Sequence, residues 1–406
     1  MPYQIDNSSN TLARLMEQVQ AQTARSQDYL APTKDLQLLT STGCKSNVST
    51  IVMESTGGVP TTHLRLNDVA FDQVAARANL PAATARRLRD EYPDVLDHAI
   101  RRIWDQEPEV RMVRAYMDDD ENSGTARAFV SNKFKTFDNV HLLAAALPQL
   151  MDSDAQWKVV TGRVTDKRMY VELKSDVITA DALARSANPH PTNNVMSLTD
   201  HTREINGINR TVGDPMALGI RLSNSEVGHG SISVTQLIWT LACLNAMQTS
   251  NQHRSAHLTS ARGSEEFAAI LKDDTIEADN VAMKLKLRDL ITCYASRDQF
   301  ESVIEKFGQA HDRLVNVTAA QAVENLGGVL KLTKPETASV LDGLMVTMQQ
   351  QGYAGRPLSQ ATLVNAVTAV THSAAPDNVG DWQRLGLKTL ELSDNQWNVV
   401  SRRDAA

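Results

Sequence analysis

The chain has few of the residues that mark secreted or membrane proteins. It contains 406 residues but only 3 cysteines, Cys44, Cys243 and Cys293, which lie far apart. Their odd number and wide spacing predict neither a disulfide framework nor a Cys-x-x-Cys metal site. No apolar run approaches the roughly 20 residues of a membrane-spanning helix, and the first residues lack the basic start and apolar centre of a signal peptide. We therefore expect a cytoplasmic protein with no membrane partner.

The sequence also lacks the short motifs of common enzyme classes. It contains no Gly-x-x-x-x-Gly-Lys-Ser/Thr, His-Glu-x-x-His or Gly-x-Ser-x-Gly, so the NTPase, zincin and hydrolase templates fail. Glu226, His229, His253 and His257 form a candidate metal or acid-base cluster, in which the last two are spaced for one helix face. The neighbouring Arg254 suits a phosphate better than a dication. We expect no catalytic residue, cofactor or metal, with an unrecognised metal-dependent enzyme as an alternative.

The net charge is acidic, but the acidity is unevenly distributed. A formal net charge of −7 argues against wholesale attraction to nucleic acid. Residues 127–262, however, hold 14 Lys and Arg against 11 Asp and Glu, so the acidic excess lies in the remainder of the chain. A binding site for a polyanion is therefore expected in this middle region.

The most informative segment spans residues 218–247. An apolar strand and a second β-prone run at 232–234 flank a polar turn with two glycines, which predicts a hairpin over 218–234, and the apolar run that follows is expected to become a long helix. Small hydroxyls and glycine-freed backbone N–H groups can approach an oxyanion closely. The expected phosphate contacts from this turn are Ser223, Asn224, Ser225 and His229. The alternative is a hairpin whose Asn and Ser side chains satisfy their own backbone.

Basic and aromatic residues alternate elsewhere in the middle region. Lys133 and Lys135 alternate with Phe134 and Phe137, a combination that single-stranded nucleic acid grooves use for phosphate contacts and base stacking. The alternative is that the phenylalanines anchor a helix to a sheet. A predicted hairpin over residues 157–174 adds further basic and aromatic side chains. The groove is expected to contain Lys133, Phe134, Lys135, Arg163, Lys167, Arg168, Tyr170 and Arg254.

Two further segments have competing interpretations. Residues 71–89 resemble a helix-turn-helix, in which Arg86 and Arg87 would lie near bases or phosphates of double-stranded DNA. The acidic residues that follow in the sequence offset the positive charge of these two arginines. We therefore expect a helix pair with a structural role and keep a double-stranded DNA-binding regulator as an alternative. The acidic run at residues 118–121 has ligands that suit Mg²⁺, but such runs are usually solvated turns.

The order of hydrophobic patterns predicts an α+β fold. Residues 1–63 are predicted as an N-terminal arm, with a helix over 11–27, and extended segments. Residues 64–263 alternate hairpins with helices, which predicts an antiparallel sheet of hairpins backed by helices. Residues 185–215 are rich in Asn, Pro, Thr and Gly and are expected to be a long loop. Residues 264–406 have helical periodicity and are predicted as a mainly helical C-terminal region.

Five segments in this order resemble one family. They are RAFVSNKFKTFDN at 127–139, RMYVELK at 168–174, SNSEVGHGSISV at 223–234, CLN at 243–245 with a downstream HRSAH, and LVNAVTAVTH at 363–372. They are similar to the phage and plasmid-like proteins of domain-of-unknown-function family 932, over roughly residues 64–390. Many members have a His-Asp-Gly or Asp-Thr-Gly type sequence where this chain has EVGH at 226–229. The resemblance implies a mobile-element setting rather than a reaction.

The predicted order of elements also suggests a function by analogy. Hairpin, helix, hairpin, loop, hairpin and helix follow in an order similar to that of single-strand annealing recombinases such as RecT and Erf. Those proteins need a basic, aromatic groove and no ATP site. The sequence therefore predicts a non-enzymatic protein that binds single-stranded DNA, with strand annealing in DNA recombination as its expected use. Self-association into a homo-oligomer is left open.

Overall fold

The computed structural model describes residues 8–43, 47–54, 61–134, 136–151, 153–187, 202–205, 208–211, 213–241, 245–249, 273–294, 297–349 and 357–402. These residues form two main sheets of mostly antiparallel strands, a two-stranded ribbon and a set of helices that dominates the C-terminal third. The predicted α+β class with a helical C-terminal region is confirmed.

The first sheet, sheet A, has six strands in the order β1-β5-β6-β4-β3-β2. Strands β4 and β6 are parallel and the other neighbours are antiparallel. A parallel pair needs a long crossover connection, and here the crossover contains three helices and β5. The strands are β1 (Ser26–Pro32), β2 (Leu36–Ser41), β3 (Val48–Met53), β4 (Thr62–Leu66), β5 (Val110–Met117) and β6 (Ser123–Ser131).

The crossover helices are α2 (Asp68–Arg77), α3 (Ala82–Glu91) and α4 (Pro93–Gln106). Helix α4 begins with a proline at its first turn, where the missing N–H costs nothing. Its Leu96, Ile100 and Trp104 recur every four residues and are buried against sheet A. The Trp104 ring stacks on Phe129 of β6 at a centroid distance of 5.7 Å.

The corner between α2 and α3 has the geometry that the sequence predicts. Asn79 adopts a positive φ of 55°, a conformation that asparagine tolerates better than most residues. Arg86 pairs with Asp72 at 2.6 Å, and Arg87 pairs with Glu91 at 3.0 Å. The predicted pair of short helices is confirmed, and carboxylates of the same helices neutralise both arginines.

The second sheet, sheet B, has five antiparallel strands in the order β13-β12-β11-β8-β7. The strands are β7 (Trp157–Val164), β8 (Met169–Asp181), β11 (Pro215–Asn224), β12 (Ser233–Thr240) and β13 (Asn245–Gln248). The hairpin predicted over 218–234 is confirmed by the antiparallel pairing of β11 with β12, but the long apolar helix expected after it is wrong, because the chain continues there through β12 into β13. Both faces of β11 and β12 are buried, so these strands lack the alternation that identifies a half-exposed strand.

Three helices cover one face of sheet B: α1 (Ser8–Ala24), α5 (Asn139–Met151) and α6 (Asp273–Tyr294). Residues 1–63, predicted as an arm with extended segments, thus contribute α1 to this face and three complete strands and the start of β4 to sheet A. The expectation of a long loop over residues 185–215 is wrong in part. Two short antiparallel strands, β9 (Thr202–Ile205) and β10 (Ile208–Thr211), form there, and β11 begins at its end.

The C-terminal region consists of helices that pack on one another and on sheet B. They are α7 (Arg297–Asp312), α8 (Ala319–Leu330), α9 (Lys334–Gln349), α10 (Gln360–Ala369), α11 (Val379–Leu390) and α12 (Asp394–Ser401). Capping boxes at Ser359 and Ser393 fix the starts of α10 and α12. None of the helices in the described ranges is long and apolar enough to cross a bilayer.

Candidate nucleic-acid interface

The polar turn between β11 and β12 joins the two sheets. It belongs to sheet B, but Arg114 of sheet A donates from Nη1 to the carbonyl oxygen of Glu226 at 2.9 Å. Arg114 is only 1% exposed, and its other donors contact Asp28 at 2.9 Å and Asp138 at 2.8 Å. Burial alone would lower the pKa of Arg114, but these two carboxylates raise it. A buried, fully charged guanidinium therefore holds the turn to sheet A.

The Glu226 side chain makes a second connection in the same place. One carboxylate oxygen accepts a hydrogen bond from the backbone N–H of Asn139 at 2.5 Å, where helix α5 begins. The other oxygen pairs with the buried guanidinium of Arg127, which also lies 4.6 Å from the Tyr116 ring. Gln73 of α2 donates to the carbonyl oxygen of Val227 at 2.7 Å. We call this set of contacts the sheet joint.

Three of the predicted phosphate contacts have internal hydrogen bonds. The Ser223 hydroxyl lies 2.7 Å from that of Ser233, and the Asn224 amide donates to the carbonyl of Phe137 at 2.7 Å. The Ser225 hydroxyl donates to the carbonyl of Lys167 at 2.7 Å. Ser223, Asn224 and Ser225 are all buried. This placement corresponds to the alternative in which the side chains of the turn satisfy the protein's own backbone.

The tip of the turn is exposed and consists of Gly228, His229 and Gly230. Gly228 has φ of 80° and Gly230 has φ of 111°, values that glycine adopts readily. A Cβ atom added to Gly228 would lie 3.7 Å from the ring of Phe134, and one on Gly230 would lie 2.9 Å from the guanidinium of Arg168. The tip therefore lies between the two segments in which the sequence predicts nucleic acid contacts.

The predicted residues that the structure describes around this tip form one continuous surface. On one side lie exposed Lys133 and half-buried Phe134, and on the other lie exposed Lys167 and half-buried Arg168. The Arg168 guanidinium is 5.9 Å from the Tyr170 ring, and Tyr170 is directly opposite exposed Arg163 in the β7–β8 register. We call this surface the basic strip: Lys133, Phe134, His229, Lys167, Arg168, Tyr170 and Arg163.

Two titratable residues of the basic strip have shifted pKa values. Partial burial, followed by the charge of Lys167, lowers the pKa of His229 below its usual value. Burial raises the pKa of Tyr170 to about 12, against the opposing charge of Arg168. The Tyr170 hydroxyl donates to Asp377 at 3.2 Å, and Asp377 also raises this pKa. At neutral pH His229 is therefore uncharged and Tyr170 is protonated.

Other predicted site residues lie elsewhere. Phe137 is buried beside helix α5, which is the anchoring role that the sequence offered as an alternative. Lys135, Arg254, His253 and His257 lie outside the described residues. Within the described ranges no three His, Cys, Asp or Glu side chains are grouped as a metal site.

The structure adds residues that the sequence did not single out. Arg77, Arg111 and Gln73 line an open groove together with Lys133 and Phe134. Glu109 pairs with both of these arginines, so the groove is less basic than its arginines alone would suggest. An arginine near the start of a predicted strand, Arg111, was the one available signal in the sequence, and it is weak.

We compared the chain with protein-family models, curated proteins and solved structures. None of them matches it.

Proposed function

We propose that this protein binds single-stranded DNA on the basic strip, without catalysis, and anneals strands for a phage or other mobile element. One observation carries the proposal. Seven residues that are separated by up to about a hundred positions in the sequence lie together around one exposed glycine turn. The strip combines cations with accessible aromatic surface.

The chemistry of the basic strip suits a single strand. Lysine and arginine neutralise backbone phosphates, and unpaired bases stack on aromatic rings whatever their sequence. Phe134 is packed on one side by Val130 and Val227 and is only half-buried, so a base can stack on its remaining surface. Gly228 beside this ring and Gly230 beside Arg168 have no side chains of their own that would cover these two groups.

The alternative of a double-stranded DNA reader is less well supported. Its candidate helix carries Arg86 and Arg87, whose guanidinium groups pair with Asp72 and Glu91. Replacing both arginines by alanine should change DNA affinity by less than about threefold, since a neighbouring carboxylate already offsets the charge of each. A loss of tenfold or more, about 1.4 kcal/mol, would support the regulator instead.

Salt titration of single-stranded DNA binding tests the proposal most directly. Lys133→Ala should flatten the slope of log affinity against log salt by roughly 0.7, the value for one phosphate of a single strand. Phe134→Ala should cost about 1 to 3 kcal/mol with an unchanged slope, because stacking releases no counterions. Lys334→Ala, at the exposed start of α9, is the matched control and should leave both quantities unchanged.

The same variants connect binding with annealing. If annealing uses the strip, the rate at which complementary strands pair should fall in Lys133→Ala and Phe134→Ala in proportion to strand occupancy. Unchanged affinity and slope in folded Lys133→Ala would refute binding on this surface. Normal strand binding without faster pairing than protein-free DNA would refute annealing alone.

A further inference from the structure

A cleft of about 220 Å³ lies between the two main sheets, next to the sheet joint. Its walls come from α1, from sheet A and from the β7–β8 turn, and they include Gln22, Tyr116, Arg127, Lys167 and Arg168. The cleft adjoins the basic strip and shares Lys167 and Arg168 with it, but Lys133 and Phe134 lie outside the cleft.

Polar atoms without partners are concentrated in residues of this cleft. Gln22 Oε1, Arg127 Nε and Arg168 Nε are buried and have no hydrogen-bond partner within the described protein. Arg127 is only 4% exposed, and both of its Nη atoms already have acceptors. Buried polar groups in folded proteins are nearly always bonded. The residues that line the cleft therefore hold two donors and one acceptor that lack a partner within the described protein.

The chemistry of these atoms defines the group. Three cations, Arg127, Lys167 and Arg168, face the cleft against two carboxylates, Asp166 and Glu226, so an anion is favoured over water. The two Nε–H groups require acceptors, while Gln22 Oε1 requires a donor. A phosphate monoester can supply both, because its second pKa of about 6 lets one oxygen hold a proton at small cost near neutral pH while the others stay charged. A carboxylate or a phosphodiester has no such hydroxyl at neutral pH.

We propose that this inter-sheet cleft binds a phosphate monoester group. The group comes either from a free small molecule or from the 5′-terminal phosphate of a DNA strand. The inference does not rest on the function of the basic strip: Lys133 lies outside the cleft, and Lys133→Ala should leave phosphate affinity unchanged whatever it does to DNA binding.

Inorganic phosphate is the first probe, and the folded wild-type protein is the sample. In protein labelled with ¹⁵N-arginine, two Nε–H signals should shift saturably as phosphate replaces chloride at constant ionic strength. Arg127→Lys and Arg168→Lys assign the two signals by their disappearance. No saturable shift up to about 10 mM phosphate, ten times a millimolar Kd, would overturn the proposal.

Helix α1 supplies a matched pair of variants. Gln22→Ala removes the acceptor in the cleft and should weaken phosphate binding about threefold to tenfold, the value of one neutral hydrogen bond. Gln20→Ala changes an exposed glutamine of the same helix and should have no effect. Equal phosphate affinity in the two variants would place the anion elsewhere and overturn the assignment.

Two oligonucleotides then identify the source. A single strand with a 5′-phosphate that binds more tightly than its 5′-hydroxyl counterpart, with the difference lost in Gln22→Ala, assigns the cleft to strand ends. Equal binding of the two strands, with saturable binding of inorganic phosphate, assigns it to a free phosphate monoester.

Discussion

Replacement of Arg114 by methionine removes the centre of the sheet joint. Methionine has similar length but no donors, so Asp28, Asp138 and the Glu226 carbonyl all lose a charged partner. Removing one member of a buried ion pair costs about 3 to 5 kcal/mol. The Asp28 and Asp138 side chains are 32% and 24% exposed, so water can hydrate them afterwards. We therefore expect the lower end, about 3 kcal/mol in the free energy of unfolding.

Urea denaturation followed by tryptophan fluorescence measures this loss. The urea concentration at the midpoint of unfolding should fall. The slope of the free energy of unfolding against urea concentration should stay the same, because the surface exposed on unfolding is unchanged. Arg101→Met, at an exposed position of α4, is the control and should stay within about 0.5 kcal/mol of wild type. A loss below about 1 kcal/mol in Arg114→Met would refute the view that this residue holds the sheets together.

Three further predictions concern the turn tip and the basic strip. Gly230→Ala should destabilise the protein by about 1 to 3 kcal/mol in the same urea assay, since it forces a side chain into a φ of 111° beside Arg168. Tyr170 should stay protonated beyond pH 11 in a spectrophotometric titration, because its pKa is raised to about 12; Tyr170→Phe should remove one tyrosine from the late part of the titration. His229 should gain a proton when a strand binds, because its pKa is lowered in the free protein and phosphate favours the charged form. Strand affinity should therefore rise as pH falls from 7 to below 6.5, and His229→Gln should remove this rise.

Each of these predictions has a clear contrary result. If Gly230→Ala is as stable as the wild type, the backbone of the turn tip adjusts so that the new methyl group avoids the Arg168 guanidinium. A difference spectrum between wild type and Tyr170→Phe centred near pH 10 would show that the hydroxyl is solvated. Equal pH dependence in wild type and His229→Gln would remove the histidine from the strand interface.

Local patterns were sufficient to predict most helices and hairpins. Helix α4 buries every fourth residue, and the pairs β5–β6 and β7–β8 are separated by short polar turns. The failure at β12 has a physical cause. Both faces of this strand are buried, one through Val234 in the core that the helices cover and the other through Leu237 and Trp239 in a second apolar cluster. Its apolar run therefore has no period that distinguishes it from a buried helix.

The site could be predicted only in part, because its organisation depends on distant contacts. Alternating lysines and phenylalanines at residues 133–137 identified one half of the basic strip, and the 157–174 hairpin identified the other. The hydrogen bonds of Asn224 and Ser225 join residues 87 and 58 positions apart. Polar side chains that hold a turn and polar side chains that contact a ligand have the same composition, so the sequence could not separate them.

The sheet joint also has a consequence for the order in which the chain folds during synthesis. Arg114 and its carbonyl partner at Glu226 are 112 residues apart. At a translation rate of about 5 to 20 residues per second, the ribosome needs roughly 6 to 22 s to deliver the second after the first. Once β6 has been synthesised, sheet A has its strands but still lacks the contact that completes its buried guanidinium. A nascent chain stalled before residue 226 should therefore be open to proteases and chaperones at sheet A, and should lose that sensitivity once the turn emerges.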